Sequence, residues 1–205
     1  MKKTIILIGG GGHCKSCIDV IEQAGTYQIE GVVDMPEKLH QKILGYEIIA
    51  TEDNLPELAK EYEYFFITLG QIKSPKKRIR LFETLKDLGA KLPIIISPLA
   101  YVSKHARVAE GTIVMHYAFI NCGAQVGSNC IINTKSLIEH DAVIRNHCHI
   151  STGAVINGEC IIHSGTFIGS NAVTRERIKV GENSIIGCGA KIIKNAPANS
   201  SIFRL

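Results

Sequence analysis

Ile138-Glu139-His140-Asp141-Ala142-Val143-Ile144-Arg145-Asn146-His147-Cys148-His149-Ile150 carries an isoleucine at every sixth position. Counting outward gives Ile96, Val102, Val108, Val114, Ile120, Val126 and Ile132 before it, and Ile156, Ile162 and Ile168 after it. Thr174 interrupts the column, and Val180, Ile186 and Ile192 resume it in phase. Helices repeat every 3.6 residues and strands every two, so a sustained period of six belongs to neither. A fixed repeat this short predicts a solenoid in which each repeat is one side of a coil. The residue four places after each clock position is mostly small, as at Ala106, Thr112, Ala118, Ala124, Ser136, Ala142, Ala154 and Ala190. It shares parity with the next clock residue, so strand alternation sends both inward and the residue between them outward. The second and third residues after each clock position then fall at corners. Stacked coils of this kind bury Val/Ile ladders and pair backbone groups between neighbours.

Ahead of the repeat, residues 1–92 alternate between strand and helix patterns. Strands are expected at 4–8, 27–33 and 64–68, helices at about 14–24, 55–63 and 77–88, and a short strand or turn at 44–49. This reads as a small, mostly parallel α/β unit, about half of a doubly wound fold. Pro93 and Pro98 mark the joint to a second domain at 93–205.

Length and composition are ordinary for a globular chain: 205 residues, 45% hydrophobic and 20% charged, enough for one or two packed domains. No apolar run approaches the length of a spanning helix. The basic start at Met1-Lys2-Lys3 leads into an apolar stretch that meets Gly9 and has no small-residue cleavage site. A buried strand is therefore expected in place of a signal peptide, and a cytoplasmic location with it. The net charge of +4 is mild, and apart from 73–80 the basic residues are scattered, which argues against nucleic-acid binding. Seven cysteines, an odd number, favour reduced thiols. Cys130, Cys148 and Cys160 occupy the small inward phase and read as packing residues. Cys14-Lys15-Ser16-Cys17 has the spacing of a redox pair but follows a glycine run at a strand-to-helix turn, with no other thioredoxin-like feature.

The corner after Ile138 sets His140 between Glu139 and Asp141. A carboxylate can hold one ring nitrogen protonated, leaving the other as an acceptor of raised basicity. One coil on, at the same corner, stands Gly158, which removes a side chain from beside the imidazole and offers a backbone N–H to a developing oxyanion. His140, His147, His149 and His163 crowd the region, but the clock assigns them to different corners and faces, so no metal site is expected. His105 and His116 read as surface histidines.

These stretches are identified as resembling the sialic acid O-acetyltransferase and UDP-amino-sugar N-acetyltransferase family, the NeuD/PglD-like hexapeptide-repeat enzymes. The match runs nearly end to end through Ile8-Gly9-Gly10-Gly11-Gly12-His13, Val33-Asp34, Ile138-Glu139-His140-Asp141, His149-Ile150-Ser151 and Ile186-Gly187-Cys188-Gly189-Ala190. The resemblance implies a Rossmann-like α/β domain joined to a left-handed parallel β-helix, a homotrimer, and acetyl-CoA as co-substrate. It implies His140 as base and Asp141 as its orienting acid. His149 would contact acetyl-CoA, with Gly158, Ser170 and Cys188 along the thioester and pantetheine path. Gly11, Gly12, His13, Asp34 and Gly70 would hold the nucleotide of a sugar substrate, and Asn133 would contact the sugar. Glycines at a strand-to-helix turn admit a phosphate or ribose close to the backbone, and Asp34 can accept ribose hydroxyls.

The chain departs from the family at Met35, where a second acid is common, and at its tail, which lacks Gly-x-Pro-Ala-Lys. Arg175-Glu176-Arg177 is read either as a contact for CoA phosphates or as an exposed charged turn. Ile131 and Phe167 share the outward phase of His149 and are expected to form an exposed apolar strip that meets another subunit. The leading expectation is N-acetylation of a nucleotide-linked amino-deoxy-sugar. Its rivals are O-acetylation of a sialic or nonulosonic acid, a dinucleotide-binding regulator or oxidoreductase using 9–12 with Asp34, and a non-catalytic scaffold. The dinucleotide fingerprint fails at Cys14.

Overall fold

The structure is a computed structural model that describes residues 2–203. Met1 of the basic start and Arg204–Leu205 of the short tail lie outside the described residues.

The N-terminal part contains β1 (Lys3–Ile8), α1 (Gly12–Ala24), β2 (Tyr27–Val33), β3 (Lys42–Ile43), β4 (Tyr46–Ala50), α2 (Leu55–Glu61), β5 (Tyr64–Ile67) and α3 (Lys76–Asp87). The sheet order is β3-β4-β2-β1-β5, parallel except for the β3–β4 hairpin. β1 runs between β2 and β5, and Ile5 through Ile8 are buried on both faces, as a central parallel strand requires. The stretch at 44–49 resolves into a hairpin turning through Leu44 and Gly45, both at positive φ, followed by β4. α1 begins two residues earlier than the pattern predicted, at Gly12, and ends at Gly25 in the left-handed conformation.

From Ile95 onward, two-residue strands stack into three parallel sheets with a register of eighteen residues, shortened to sixteen at the last step, Ile185 to Ser201. The first face carries the pairs at 95, 113, 131, 149, 167, 185 and 201; the second those at 101, 119, 137, 155, 173 and 191; the third those at 107, 125, 143, 161 and 179. Clock residues from Val114 to Ile192 are buried, and Ala118, Ala124, Cys130, Ala142, Cys148, Ala154 and Cys160 fill the axis between them. Every corner from Gly111 to Gly189 holds a positive-φ residue three places after the clock position, so the coil turns at the same kind of bend throughout. The expected prism is present, with Ile96 at its open end as the least covered of the clock residues.

The α/β unit lies on the first face. Cys14, Cys17, Ile18 and Ile21 of α1 share one core with Ile95, Ile113, Met115 and Ile131. Ile131 in that core and Phe167, edge-on to the His149 ring, are both buried within a single chain, which corrects the expectation of an exposed strip there. Cys14 and Cys17 are fully covered and burial pushes both thiols up, which leaves no exposed dithiol for redox exchange. His116 is also not a free surface residue: Nε2 lies 2.7 Å from Asp19 of α1 and Nδ1 2.6 Å from Ser97 Oγ, pinning the two units together. Buried Arg78 of α3 clasps the prism through Asn129, its NH2 donating to Oδ1 at 2.7 Å.

Candidate active site

The corner between the second and third faces presents Glu139, His140 and Asp141. Asp141 has φ +58, a conformation acidic and amide side chains tolerate better than most, and it brings its carboxylate back to the preceding ring. His140 Nδ1 donates to Asp141 Oδ2 at 3.0 Å, so Nε2 is the bare acceptor. That bond, with the nearby charges of Asp141, Glu139 and Glu159, raises the His140 pKa above its ordinary value. Glu139 Oε2 accepts the His140 backbone N–H at 3.1 Å and the Asn121 amide at 2.8 Å, fixing the corner from above.

Below the ring lies Gly158. A Cβ built there would stand 2.7 Å from Nε2 and 2.8 Å from Cε1 of His140, so any side chain would displace the imidazole. The Gly158 N–H has no acceptor among the described residues, whereas its carbonyl takes the Arg177 N–H at 3.0 Å. Glu139, His140, Asn157, Gly158, Glu159, Glu176 and Arg177 line a groove of about 470 Å³, within the range of small-ligand sites. Arg177, one coil below Glu159, pairs with it at 2.9 Å.

A second group of polar residues lies on and beside the first face. His149 is 7% exposed, covered by the segment after β5. Its Nδ1 donates to the Gln71 carbonyl at 2.6 Å, which makes Nε2 the acceptor of the Asn133 amide at 3.1 Å. Both ring nitrogens are thus engaged inside one chain, and burial holds the pKa down to about 4. His13, at the start of α1, packs against Gly70 and lies 6.4 Å from the His149 ring, its pKa driven to about 3 by burial. Asp34 Oδ2 accepts Gly10 N–H at 2.7 Å and pairs with Lys38 at 3.0 Å, while Oδ1 accepts the Met35 N–H. Cβ atoms at Gly11 and Gly12 would meet nothing within 4 Å, so that turn is open toward solvent.

Comparison with known proteins places this geometry. The PglD N-terminal domain matches residues 4–85, and the bacterial transferase hexapeptide (six repeats) matches residues 159–194. The chain is thus similar to PglD over its N-terminal unit and to hexapeptide transferases over part of its repeat. Among solved structures, PerB from Caulobacter crescentus in complex with CoA and GDP-perosamine is similar with a TM-score of 0.89 at 27% identity, covering 97% of this chain and 92% of that one. The acetyltransferase domain of PglB from Neisseria gonorrhoeae in complex with acetyl coenzyme A is similar with a TM-score of 0.90 at 29% identity, covering 98% and 96%. A further Caulobacter structure is a histidine-to-asparagine variant of perosamine N-acetyltransferase, with a TM-score of 0.91 at 26% identity, covering 97% and 92%. The prism is accordingly the left-handed parallel β-helix of hexapeptide-repeat transferases.

Within this chain the candidate residues fall on two separate edges. His140, Asp141 and Gly158 share the edge between the second and third faces. Asn133, Ser170 and Cys188 share the edge between the first and second faces, with Ser170 Oγ 3.0 Å from Ser151 Oγ. Gly11, Gly12, His13, Asp34 and Gly70 belong to the unit lying on the first face, which is opposite the His140 edge. A single chain brings His140, Asp141 and Gly158 together and leaves the others apart from them. Asn157, Glu159 and Arg177 of the groove were not singled out by the motif around His140. Their signal is the eighteen-residue column, which sets Asn157 below Glu139 and Arg177 below Glu159.

Proposed function

We propose that this protein transfers acetyl from acetyl-CoA to the amino group of a nucleotide-linked amino-deoxy-sugar, with His140 as general base. The observation that carries the reading is one geometry: a tautomer-fixed imidazole whose bare Nε2 overlies a glycine with a free backbone N–H. A groove lined by Gly158 and narrow polar walls suits a thioester arm; acetyl-CoA supplies the activated acyl carbon. His140 Nε2 accepts the proton released as the amine nitrogen bonds to that carbon. The Gly158 N–H donates to the carbonyl oxygen as it gains charge. The imidazolium then returns its proton to the departing sulfur, and Asp141 holds the ring in one tautomer throughout. No enzyme nucleophile is needed when amine and thioester are held together.

The two-edge arrangement supports a site shared between copies, and a homotrimer is the assembly we propose. The second face is apolar along its outward column, through Tyr101, Phe119, Leu137, Val155 and Val173, and the Tyr101 and Phe119 rings stack 4.7 Å apart with substantial exposure. Packing that face against a neighbour would bring Asn133, Ser170, Cys188 and the nucleotide-end residues of one copy toward His140 of another. Asp34, Gly11, Gly12, His13 and Gly70 then hold the nucleotide, and Asn133 the sugar.

The reading is tested by acetyl-CoA consumption with UDP-, dTDP- and GDP-linked amino sugars alongside sialic acids. Turnover with an amino-sugar nucleotide is expected. Turnover confined to sialic acids would replace N-acetylation by O-acetylation, and no turnover with either class would overturn the assignment.

A further inference from the structure

The one interruption in the clock column, Thr174, lies one coil below Ile156, the clock residue that leads into the corner holding Gly158. Elsewhere on the second face each corner N–H donates to the carbonyl of the clock residue below: Asn121 to Ile138, Glu139 to Ile156, Arg175 to Ile192. At Asn157 that bond is replaced. The Asn157 N–H donates to Thr174 Oγ1 at 2.9 Å, and the Asn157 side-chain amide takes the vacated Thr174 carbonyl at 2.6 Å. Only Val155 and Val173 remain paired between these two strands.

The chain contains its own controls for what this exchange does. Asn121 and Asn133 occupy the same position in their repeats, each with its ladder bond intact. In both, the side-chain oxygen turns back to accept the next backbone N–H at 2.8 Å, that of Cys122 and of Thr134. Glu139 does the same for His140. At Asn157 the side chain is held on the Thr174 carbonyl, and the next N–H, that of Gly158, has no acceptor among the described residues.

Building on the assignment of Gly158 as oxyanion donor, we propose that Thr174 and Asn157 are positioning residues that keep that donor uncapped. The Thr174 hydroxyl takes over the ladder bond and frees its own carbonyl to draw the Asn157 amide away. A valine or isoleucine at this slot would pack as well in the axis but would restore the ladder. The asparagine would then cap Gly158 as Asn121 caps Cys122, and the developing oxyanion would have to compete with a built-in acceptor. The break in an otherwise uniform hydrophobic column is a local rule broken at a functional corner.

The experiment compares Thr174→Val, Thr174→Ala, Thr174→Ser and the double variant Thr174→Val/Asn157→Ala in steady-state acetyl transfer, with thermal melting alongside. Both hydroxyl-free variants are expected to lose about 10–100-fold in kcat, below the about 10²–10³-fold loss typical of deleting an oxyanion donor, because the N–H is capped and not removed. KM for acetyl-CoA and the melting temperature should change little, a split that simple loss of packing would not give. Thr174→Ser should retain most of the turnover. In the double variant no side chain remains to cap Gly158, so kcat should rise above that of Thr174→Val. Near-wild-type kcat in folded Thr174→Val or Thr174→Ala, or a double variant no faster than Thr174→Val, overturns the proposal. Failure of the transferase reading itself would look different: no turnover by the unmodified protein, or His140→Ala at its full rate.

Discussion

At the scale of single residues, the His140 corner makes three predictions. His140 is half exposed and held by one neighbour, so removing it should cost chemistry and not stability. His140→Ala is expected to lower kcat by about 10²–10⁴-fold, the usual worth of a positioned base, with an unchanged melting temperature. Because the Asp141 hydrogen bond raises the His140 pKa, the proton must be shed before the ring can act as base. kcat/KM should therefore climb with pH through an apparent pKa above the ordinary value of about 6.5. Asp141→Asn should move that limb toward acid and lower its plateau, and a limb that stays in place would remove Asp141 from its orienting part. Gly158→Ala acts by collision: the new Cβ meets the imidazole at 2.7 Å, and the ring must swing into solvent. A loss of about 10²-fold in kcat with little change in melting is expected, since the displaced ring has free space to enter.

At the scale of elements, the joint between the α/β unit and the first face is built on two histidines that the fold keeps neutral. Burial lowers His13 to about 3 and His149 to about 4, and the Gln71 carbonyl requires the Nδ1–H tautomer of His149. In the unfolded chain both would take up protons near pH 6.5, so between pH 6.5 and 4 the unfolded state binds more protons than the native one. Stability is then complete above about 6.5 and falls as pH drops toward 4, by up to about 1.4 kcal/mol per pH unit for each histidine. Melting temperature measured across this window should decline toward acid, and His149→Asn, which cannot titrate, should show a shallower slope. An equal slope would place the acid sensitivity elsewhere. The same joint shows where the sequence stops being readable. The six-residue clock identifies every inward residue from Val114 to Ile192 because strand parity is local. What covers an outward residue is a matter of docking between units, so Ile131, outward by parity, turns out to share a core with α1, and Phe167 is buried with its ring against that of His149. The acid-flanked histidine and the glycine eighteen residues on were both legible, being set by the coil repeat alone. The part played by Thr174 was visible only as an interruption, since its hydroxyl matters through a bond to the neighbouring coil.

At the scale of the whole molecule, the triangular prism separates what an acetyl transfer must join. The His140 edge is opposite the face on which the α/β unit lies, so His140 and Asp34 of one chain face different directions. In the homotrimer proposed above, a site that takes His140 from one copy and Asp34 from the next is heterologous and closes into a ring. This has a consequence that no site within one chain can reproduce. A protein carrying Asp34→Ala and another carrying His140→Ala should each have little activity as pure trimers. When the two are co-expressed in equal amounts, a given boundary has an intact His140 on one side with a chance of one half and an intact Asp34 on the other with the same chance. About a quarter of the unmodified activity per site is therefore expected in the mixed population, the fraction following from random assembly into symmetric rings. The control is to mix the two variants after separate assembly, where activity should appear only as fast as subunits exchange. Activity that stays at the level of the two parents after co-expression, in trimers shown by mass to be mixed, would mean that each chain completes its own site.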